Sequence, residues 1–213
     1  MSQDSLSRPL PPADHSRLMA GEILLQSRSY SLWGGSVTAQ IYLPVERSEL
    51  WAYLTNYSLW PELFAHITHS GVVETRTPFH KRVYQAAQKQ FALITIGMDA
   101  CLWVREYPPR QIRFELETEN SSFREFKAEL WLEAAASDSS HSSGHSSGTV
   151  LSYTVQAIAT WPIPAPLLKE AIGSDLPENL RHLRSYLAQH HQAISAAQSS
   201  TEENHPGSIE NQP

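Results

Sequence analysis

The sequence contains little cysteine and no excess of basic residues. Cys101 is the only cysteine in 213 residues, so no intramolecular disulfide can form and a reducing compartment is favoured. Because free cysteines are usually buried, we expect the Cys101 thiol to be buried and inert. Lys and Arg number 16 against 22 Asp and Glu, a net charge of −6. This balance argues against nucleic acid as a partner, since nucleic-acid-binding surfaces are basic.

The sequence also lacks long apolar runs. No stretch approaches the ~20 apolar residues needed to span a bilayer, and the polar N-terminus has no apolar segment typical of a secretory signal. We therefore expect a cytoplasmic protein. Transient peripheral contact with a membrane stays open, and the sequence does not indicate an oligomeric state.

Three segments have compositions typical of disorder. Residues 1–21 are polar and rich in proline, residues 191–213 have few apolar side chains, and residues 137–148 repeat Ser, Gly and His. Such segments bury too little apolar surface to fold. One domain is predicted over residues 22–190, with 137–148 as a flexible loop between two strands.

Histidines of the insert do not indicate a metal site. His141 and His145 are four residues apart, which suits shared coordination only on a helix, and Gly and Ser disfavour helix there. His190 and His191 are adjacent and would point apart on a helix. We predict neither a metal nor a cofactor.

Alternating and helical patterns predict an α+β fold. Val37, Ala39, Ile41 and Leu43 alternate with polar residues in a first strand, and helical spacing follows in "LWAYLTNYSLWPELF", where Pro61 suits the first turn of a second short helix. Six further runs are typical of half-exposed strands of an antiparallel sheet. These runs are "HSGVVETR", "RVYQAAQKQFAL", "ITIGMDACLWVREY", "QIRFELETE", "FREFKAELWLEA" and "GTVLSYTVQAIAT".

The longest helix is predicted near the C-terminus. Ile172, Leu176, Leu180, Leu183 and Leu187 form one apolar stripe. Gly173 and Pro177 predict a break or kink in this helix, because proline removes a helical hydrogen bond.

The order of these motifs resembles the START-like superfamily, and within it the polyketide cyclase/dehydrase and coenzyme Q-binding branch, over about residues 36–188. The motifs that carry the resemblance are "LWAYLTNYSLWPELF", "WVREYPPRQIRFEL", "FREFKAELWLE", "GTVLSYTVQAI" and "PAPLLKEAI". The resemblance implies a helix-grip fold, a curved antiparallel sheet of about seven strands around the long helix. Asn56 replaces an Asp common in relatives, and Ala128 and Leu130 replace a Gly-x-Trp pair.

The resemblance also implies an interior cavity for a hydrophobic molecule such as a lipid, a quinone or a polyketide. Aromatic and apolar residues are the expected ligand contacts. They are Trp60, Phe64, Tyr84, Phe91, Phe114, Phe126, Tyr153, Trp161, Leu168 and Ile172.

Polar groups aimed at such a cavity would be needed for catalysis. Tyr153 shares a face with Leu151 and Val155 and is the best candidate, whereas only one of Tyr84 and Gln85 can face inward. Asp99 is expected to face solvent, and His66 and His69 are expected at the surface. No catalytic residue is assigned.

Three functions remain open on the sequence alone. Binding or transport of a hydrophobic small molecule is the leading hypothesis, and a metal-free cyclase or dehydratase is the second. The third is a protein-interaction module that would use outward-facing Trp103 and Trp131, since Trp is enriched at interaction hot spots.

Overall fold

The computed structural model describes residues 12–29, 32, 34–91, 94–118, 123–135, 148–160 and 165–202. An eight-stranded antiparallel sheet and a long C-terminal helix dominate these residues. The helices are α1 (Pro12–Met19), α2 (Arg47–Thr55), α3 (Trp60–Leu63) and α4 (Ala165–Glu202). The strands are β1 (Leu24–Ser29), β2 (Gly34–Leu43), β3 (Ile67–Thr77), β4 (His80–Phe91), β5 (Ile94–Tyr107), β6 (Gln111–Leu116), β7 (Phe123–Ala134) and β8 (Thr149–Ala159).

The sheet has the order β1-β2-β8-β7-β6-β5-β4-β3, so β1 and β3 are its edges. The curved sheet and α4 form the helix-grip architecture that the resemblance implied, with eight strands rather than about seven. The additional strand, β1, escaped the sequence analysis because Leu24 is its only buried residue and no alternation marks it.

Alternation along the other strands places one apolar face against α4. On β2, Val37, Ala39, Ile41 and Leu43 are all buried. Their register partners on β8 are Val155, Tyr153, Leu151 and Thr149, in that order. The predicted face of each strand is therefore the face that forms the core.

α4 covers this face with Leu176, Leu180, Leu183 and Leu187, which are all buried. The predicted break near Gly173 does not occur, because α4 continues through Pro177. A proline inside a helix costs ~3 kcal/mol, and burial of leucines beyond Pro177 offsets that cost, since each buried leucine contributes ~1.5–3 kcal/mol.

Both termini of the predicted domain extend further than expected. α1 lies within the segment expected to be disordered, where Leu18 is buried in a small cluster with Leu24 and Val150. At the other end α4 reaches Glu202, beyond the predicted boundary at residue 190. Whether such small or terminal elements form depends on tertiary contacts, which composition does not report.

The insert joins β7 to β8, as predicted, and residues 136–147 with His141 and His145 lie outside the described residues. Ala134 pairs with Thr149 at the base of the hairpin. Gly148 is packed so closely that an added Cβ would lie 2.3 Å from the ring of Tyr42. A larger residue at this position would require the Tyr42 ring to move.

The turn between α2 and α3 has a structural role. Asn56 is exposed, and its Oδ1 accepts a hydrogen bond from Ser58 Oγ at 2.7 Å. Pro61 stands in the first turn of α3, as predicted. Trp60 Nε1 donates to the Leu54 carbonyl at 3.0 Å and fixes the ring against the preceding helix.

Candidate functional site

The interior side chains are sealed at one end of the sheet and partly accessible at the other. Inward residues at the sealed end are buried: Val104, Phe114, Leu130 and Leu180. Further along the same elements, inward apolar residues keep accessible surface while packing against the core. These residues, which we call the open end, are Ala100 on β5, Leu116 on β6, Phe126 on β7 and Ile172 on α4. Tyr153 on β8 also faces inward and keeps accessible surface, but it pairs with Leu130 and lies level with the sealed end.

An aromatic cluster fills the sealed end. The Trp60 ring lies 4.7 Å from Phe64, 5.1 Å from Phe114 and 5.8 Å from Tyr57, measured between centroids. Trp60 and Phe114 are each only 2 % exposed. Tilted and edge-on rings at these separations are the favourable geometries for aromatic pairs. Trp60, Phe64 and Phe114, predicted as ligand contacts, therefore pack against protein.

A buried carboxylate lies beside this cluster. Glu106, 7 % exposed, accepts hydrogen bonds from Tyr57 Oη at 2.7 Å and from Lys81 Nζ at 2.6 Å. Burial, together with the hydrogen bond and charge of Glu106, raises the pKa of Tyr57 well above its ordinary value. A buried carboxylate is tolerated when it is paired and hydrogen-bonded, and both conditions hold here.

Glu106 was not among the predicted site residues, although the alternation along β5 indicates that it faces inward. Leu102 and Val104 are inward residues of β5, and the same alternation places Glu106 inward as well. A charged residue continuing an apolar face requires a buried partner. Lys81, opposite Val104 on β4, lies on the same face and supplies it.

Tyr153 is a polar inward residue of β8, level with Leu130 of the sealed end. Its ring centroid lies 6.2 Å from Phe64, so it adjoins the aromatic cluster. Burial raises the pKa of Tyr153 to about 12, and its hydroxyl has no hydrogen-bond partner among the described residues. A phenol with this pKa is protonated at neutral pH and can donate a hydrogen bond to a carbonyl or hydroxyl oxygen.

The apolar residues of the open end come from three strands and α4. Phe126 packs on Phe123 with ring centroids 5.4 Å apart, and Leu116 pairs with Leu102 across β5 and β6. Ile172 begins the apolar stripe of α4 that Leu176 continues. The open end thus presents accessible apolar surface, which suits a largely hydrophobic molecule, and the Tyr153 hydroxyl lies on the same inward face.

Tyr84 does not belong to the interior. Val83 is buried in the core, and Gln85 shares its face, so Tyr84 points to the opposite side and packs on His69, 5.7 Å away between rings. Of the two alternatives, Gln85 therefore occupies the inward position, and Tyr84, one of the expected ligand contacts, faces the outer side. Gln85 Nε2 donates to the buried Ser70 Oγ at 3.4 Å.

Two neighbouring residues on β5 also face outward. Asp99 is exposed, as expected. Cys101 is partly exposed, and the expectation that it is buried is wrong, because it alternates with the buried Leu102. Trp161 lies outside the described residues, as do the side chains of Phe91, Leu168 and His191.

His66 takes part in an ion-pair group beside the open end. Its Nε2 lies 3.1 Å from Glu178 Oε2 and 4.0 Å from Asp175 Oδ1, and the three ligand atoms lie within 4.8 Å of one another. These are atom types that bind divalent cations. Contact with His66 also explains why the two carboxylates lie close together. The three residues join the start of β3 to α4.

Comparison with known proteins agrees with this architecture. A family model described as polyketide cyclase / dehydrase and lipid transport matches residues 43–184, about two thirds of the chain. A search of curated proteins gives no match. Among the described residues, no helix has both the length and the apolar character required to cross a bilayer.

Three solved structures illustrate the structural similarity. A STAR-related lipid transfer protein fragment from Xanthomonas axonopodis has a TM-score of 0.59 at 13% identity, covering 78% of this chain and 93% of that chain. The Zhui aromatase/cyclase from Streptomyces sp. R1128 has 0.55 at 11%, covering 83% and 98%. The di-domain ARO/CYC BexL from the BE-7585A biosynthetic pathway has 0.56 at 10%, covering 74% and 51%, so this chain spans about half of that protein.

Identities this low establish the fold alone. The match of the family model over most of the domain, together with the helix-grip architecture, establishes the family. The chain belongs to the polyketide cyclase/dehydrase and lipid transport family of the START-like superfamily.

Proposed function

We propose that this protein binds a hydrophobic small molecule at the open end, between the sheet and α4. The observation that carries the proposal is the accessible surface that inward apolar side chains of β5, β6, β7 and α4 keep at this end. Fully packed interiors leave few such surfaces, and ligand sites are lined mainly by apolar and aromatic residues with a few placed polar groups.

Tyr153 is the proposed polar contact. Its protonated hydroxyl would donate to an oxygen of the ligand, and the surrounding side chains would contact only carbon. This arrangement fits a lipid, a quinone or a polyketide-like molecule, each of which combines an extended apolar part with a carbonyl or hydroxyl. Two structural neighbours, a lipid transfer protein and an aromatase/cyclase, have names consistent with ligands of these kinds.

Extraction of the purified protein into organic solvent, followed by mass spectrometry, tests the proposal. We expect a hydrophobic compound in amounts comparable to the protein. Ala100→Trp should remove that compound by filling the open end. Ala86→Trp is the matched control, because Ala86 lies on the opposite face of the neighbouring strand, paired with Asp99. Equal recovery from both variants, or none from the wild type after exposure to a lipid extract, would contradict the proposal.

Cyclisation or dehydration of a polyketide-like substrate is the second candidate. The accessible hydroxyl of Tyr153 favours it, because a protonated phenol could polarise a substrate carbonyl. Tyr84 and Asp99, considered as partners of Tyr153, lie on the outer face and do not converge with it. Turnover of a linear polyketide analogue that is lost in Tyr153→Phe while binding persists would select the enzyme.

A further inference from the structure

Positive charge is concentrated in one part of this acidic chain. Residues 76–113 contain seven Lys or Arg and two Asp or Glu, a net +5, whereas the whole chain carries −6. These residues form β4, β5 and the turns at one end of each strand. Four of these cations are paired with carboxylates, Arg76 with Glu74, Lys81 with Glu106, Arg82 with Glu117 and Arg113 with Glu129. Arg105 and Arg110 have no acidic partner among the described residues, so they carry the excess positive charge at this end of the strands.

The outer face of the sheet concentrates this charge further. His80 on β4, Arg105 on β5 and Arg113 on β6 are direct register partners across the sheet. Arg113 has Glu129 at 3.8 Å, whereas Arg105 has no acidic partner within the described part of the chain. Like charges directly opposite one another destabilise a sheet. His80 also packs on Trp103, with ring centroids 5.1 Å apart, so Arg105 is the member of the row that no described contact explains.

Two exposed aromatic side chains lie beside the row, at the ends of adjacent hairpins. Phe79 in the β3–β4 turn is 54 % exposed, and Tyr107 at the end of β5 is 45 % exposed. The backbone of Glu106 donates to the Phe79 carbonyl at 2.9 Å, which holds the two turns side by side. Arg110, also exposed, follows Tyr107 in the next turn.

From this juxtaposition we propose that the tip formed by Phe79, His80, Arg105, Tyr107, Arg110 and Arg113 docks on an anionic phospholipid surface. Arginines attract anionic headgroups, each contributing about a factor of five in membrane partitioning. Exposed aromatic rings favour the boundary between headgroups and acyl chains. Charge complementarity and side chains standing out at turn ends favour a bilayer over a protein groove.

The tip lies at the opposite end of β4 and β5 from the open end. Ala100 of the open end and Tyr107 of the tip belong to the same strand, seven residues apart, which corresponds to about 23 Å along an extended chain. Docking would therefore anchor the protein and leave the open end facing away from the bilayer. This inference is independent of the proposed small-molecule site.

Co-sedimentation of the full chain with vesicles tests the docking surface. We compare vesicles of phosphatidylcholine alone with vesicles that also contain phosphatidylglycerol, at low and high salt. Binding is expected only to the anionic vesicles and should decrease at high salt. Arg105→Gln combined with Arg110→Gln should lower the partition coefficient about 30-fold, as expected for the loss of two basic contacts.

Arg28→Gln combined with Arg181→Gln is the matched control, since both arginines are exposed on β1 and α4. This pair should bind nearly as the wild type does. Phe79→Ser should weaken vesicle binding but leave binding to immobilised polyglutamate unchanged. Equal binding to both vesicle types, no binding to anionic vesicles, or equal loss in the two double variants would overturn the proposal. Binding to polyglutamate alone would assign the tip to an acidic protein instead.

Discussion

The sealed end and the open end use the same strands and helix but fill the interior to different extents. At the sealed end, four aromatic rings and a hydrogen-bonded carboxylate occupy the space between the sheet and α2, α3 and α4. At the open end, apolar side chains on the same sheet and helix keep accessible surface. This difference indicates that the sealed end stabilises the fold, whereas the open end of the same apolar face is available for binding.

The largest effect should come from the centre of the sealed end. Trp60→Ala removes three ring contacts and a buried hydrogen bond, so we expect the free energy of unfolding to fall by about 3–5 kcal/mol. Chemical denaturation measures this loss. Phe126→Ala at the open end, where the ring is only partly buried, should cost less than half as much. Equal losses in the two variants would remove the distinction between the ends.

Removal of the buried carboxylate should have the next largest effect. Glu106→Ala leaves the Tyr57 hydroxyl and the Lys81 ammonium without their partner, and we expect a loss of about 2–3 kcal/mol. Glu117→Ala is the control, because Glu117 pairs with Arg82 in a more exposed position at 2.6 Å. Such pairs contribute ~1 kcal/mol or less. Similar losses in both variants would show that Glu106 has no special role.

Alkaline pH should destabilise the fold through the two buried tyrosines. Tyr57 and Tyr153 have pKa values raised above the ordinary value, so above about pH 10 the unfolded chain releases protons that the native protein retains. Stability is therefore complete below pH 10 and falls at higher pH, by at most about 1.4 kcal/mol per pH unit for each group. Denaturation curves across this range measure the slope.

Tyr57→Phe and Tyr153→Phe should each reduce that slope. Since a phenylalanine does not titrate, each variant removes one group from the proton balance. Tyr107→Phe is the control, because Tyr107 is exposed. An unchanged slope in both buried-site variants would contradict the assignment of the alkaline effect to these residues.

Loss of the Tyr153 hydroxyl should affect binding more than stability. Tyr153→Phe keeps the ring and removes a group with no described partner, so unfolding should change by less than about 0.5 kcal/mol. Affinity for an extracted ligand that carries a carbonyl should fall about fivefold, the value of one neutral hydrogen bond of about 1 kcal/mol. Calorimetric titration measures it, and Tyr84→Phe on the outer face is the control.

The smallest effect is expected beside the open end, at the ion-pair group of His66. His66→Gln removes charge pairing with Glu178 and Asp175, both of which retain contact with solvent. We expect a loss below about 1 kcal/mol in denaturation experiments. A loss as large as that of Glu106→Ala would show that the group holds α4 in place.

Much of the fold was predictable because alternation is a local signal. β2, β5, β6 and β7 carry it clearly, and the leucine stripe of α4 is equally clear. β3 does not alternate, because Ser70 is its one buried residue. β1 lacks the signal because it buries only Leu24, and α4 continues through Pro177 because burial of side chains on both sides of the proline offsets the lost hydrogen bond. These outcomes depend on contacts distant in sequence.

The candidate site was less predictable, since facing inward and remaining accessible are different properties. The alternation of each strand places both Phe114 and Phe126 on the inward face. Only the packing of Trp60 from α3 against Phe114 distinguishes this sealed residue from Phe126, which stays accessible. Parity could have identified Glu106, whereas the choice between Tyr84 and Gln85 needed the strand register. Accessibility depends on all elements together and has no local pattern.

The most direct test of the separation between the ends compares Phe126→Ala with Phe114→Ala. Each variant would be assayed for affinity toward an anilinonaphthalene sulfonate probe displaced by the extracted ligand, and for its free energy of unfolding. We predict that Phe126→Ala mainly loses affinity for the ligand, and that Phe114→Ala mainly loses stability, by about 3–5 kcal/mol. Parallel losses of affinity and stability in both variants would contradict the assignment of binding to the open end.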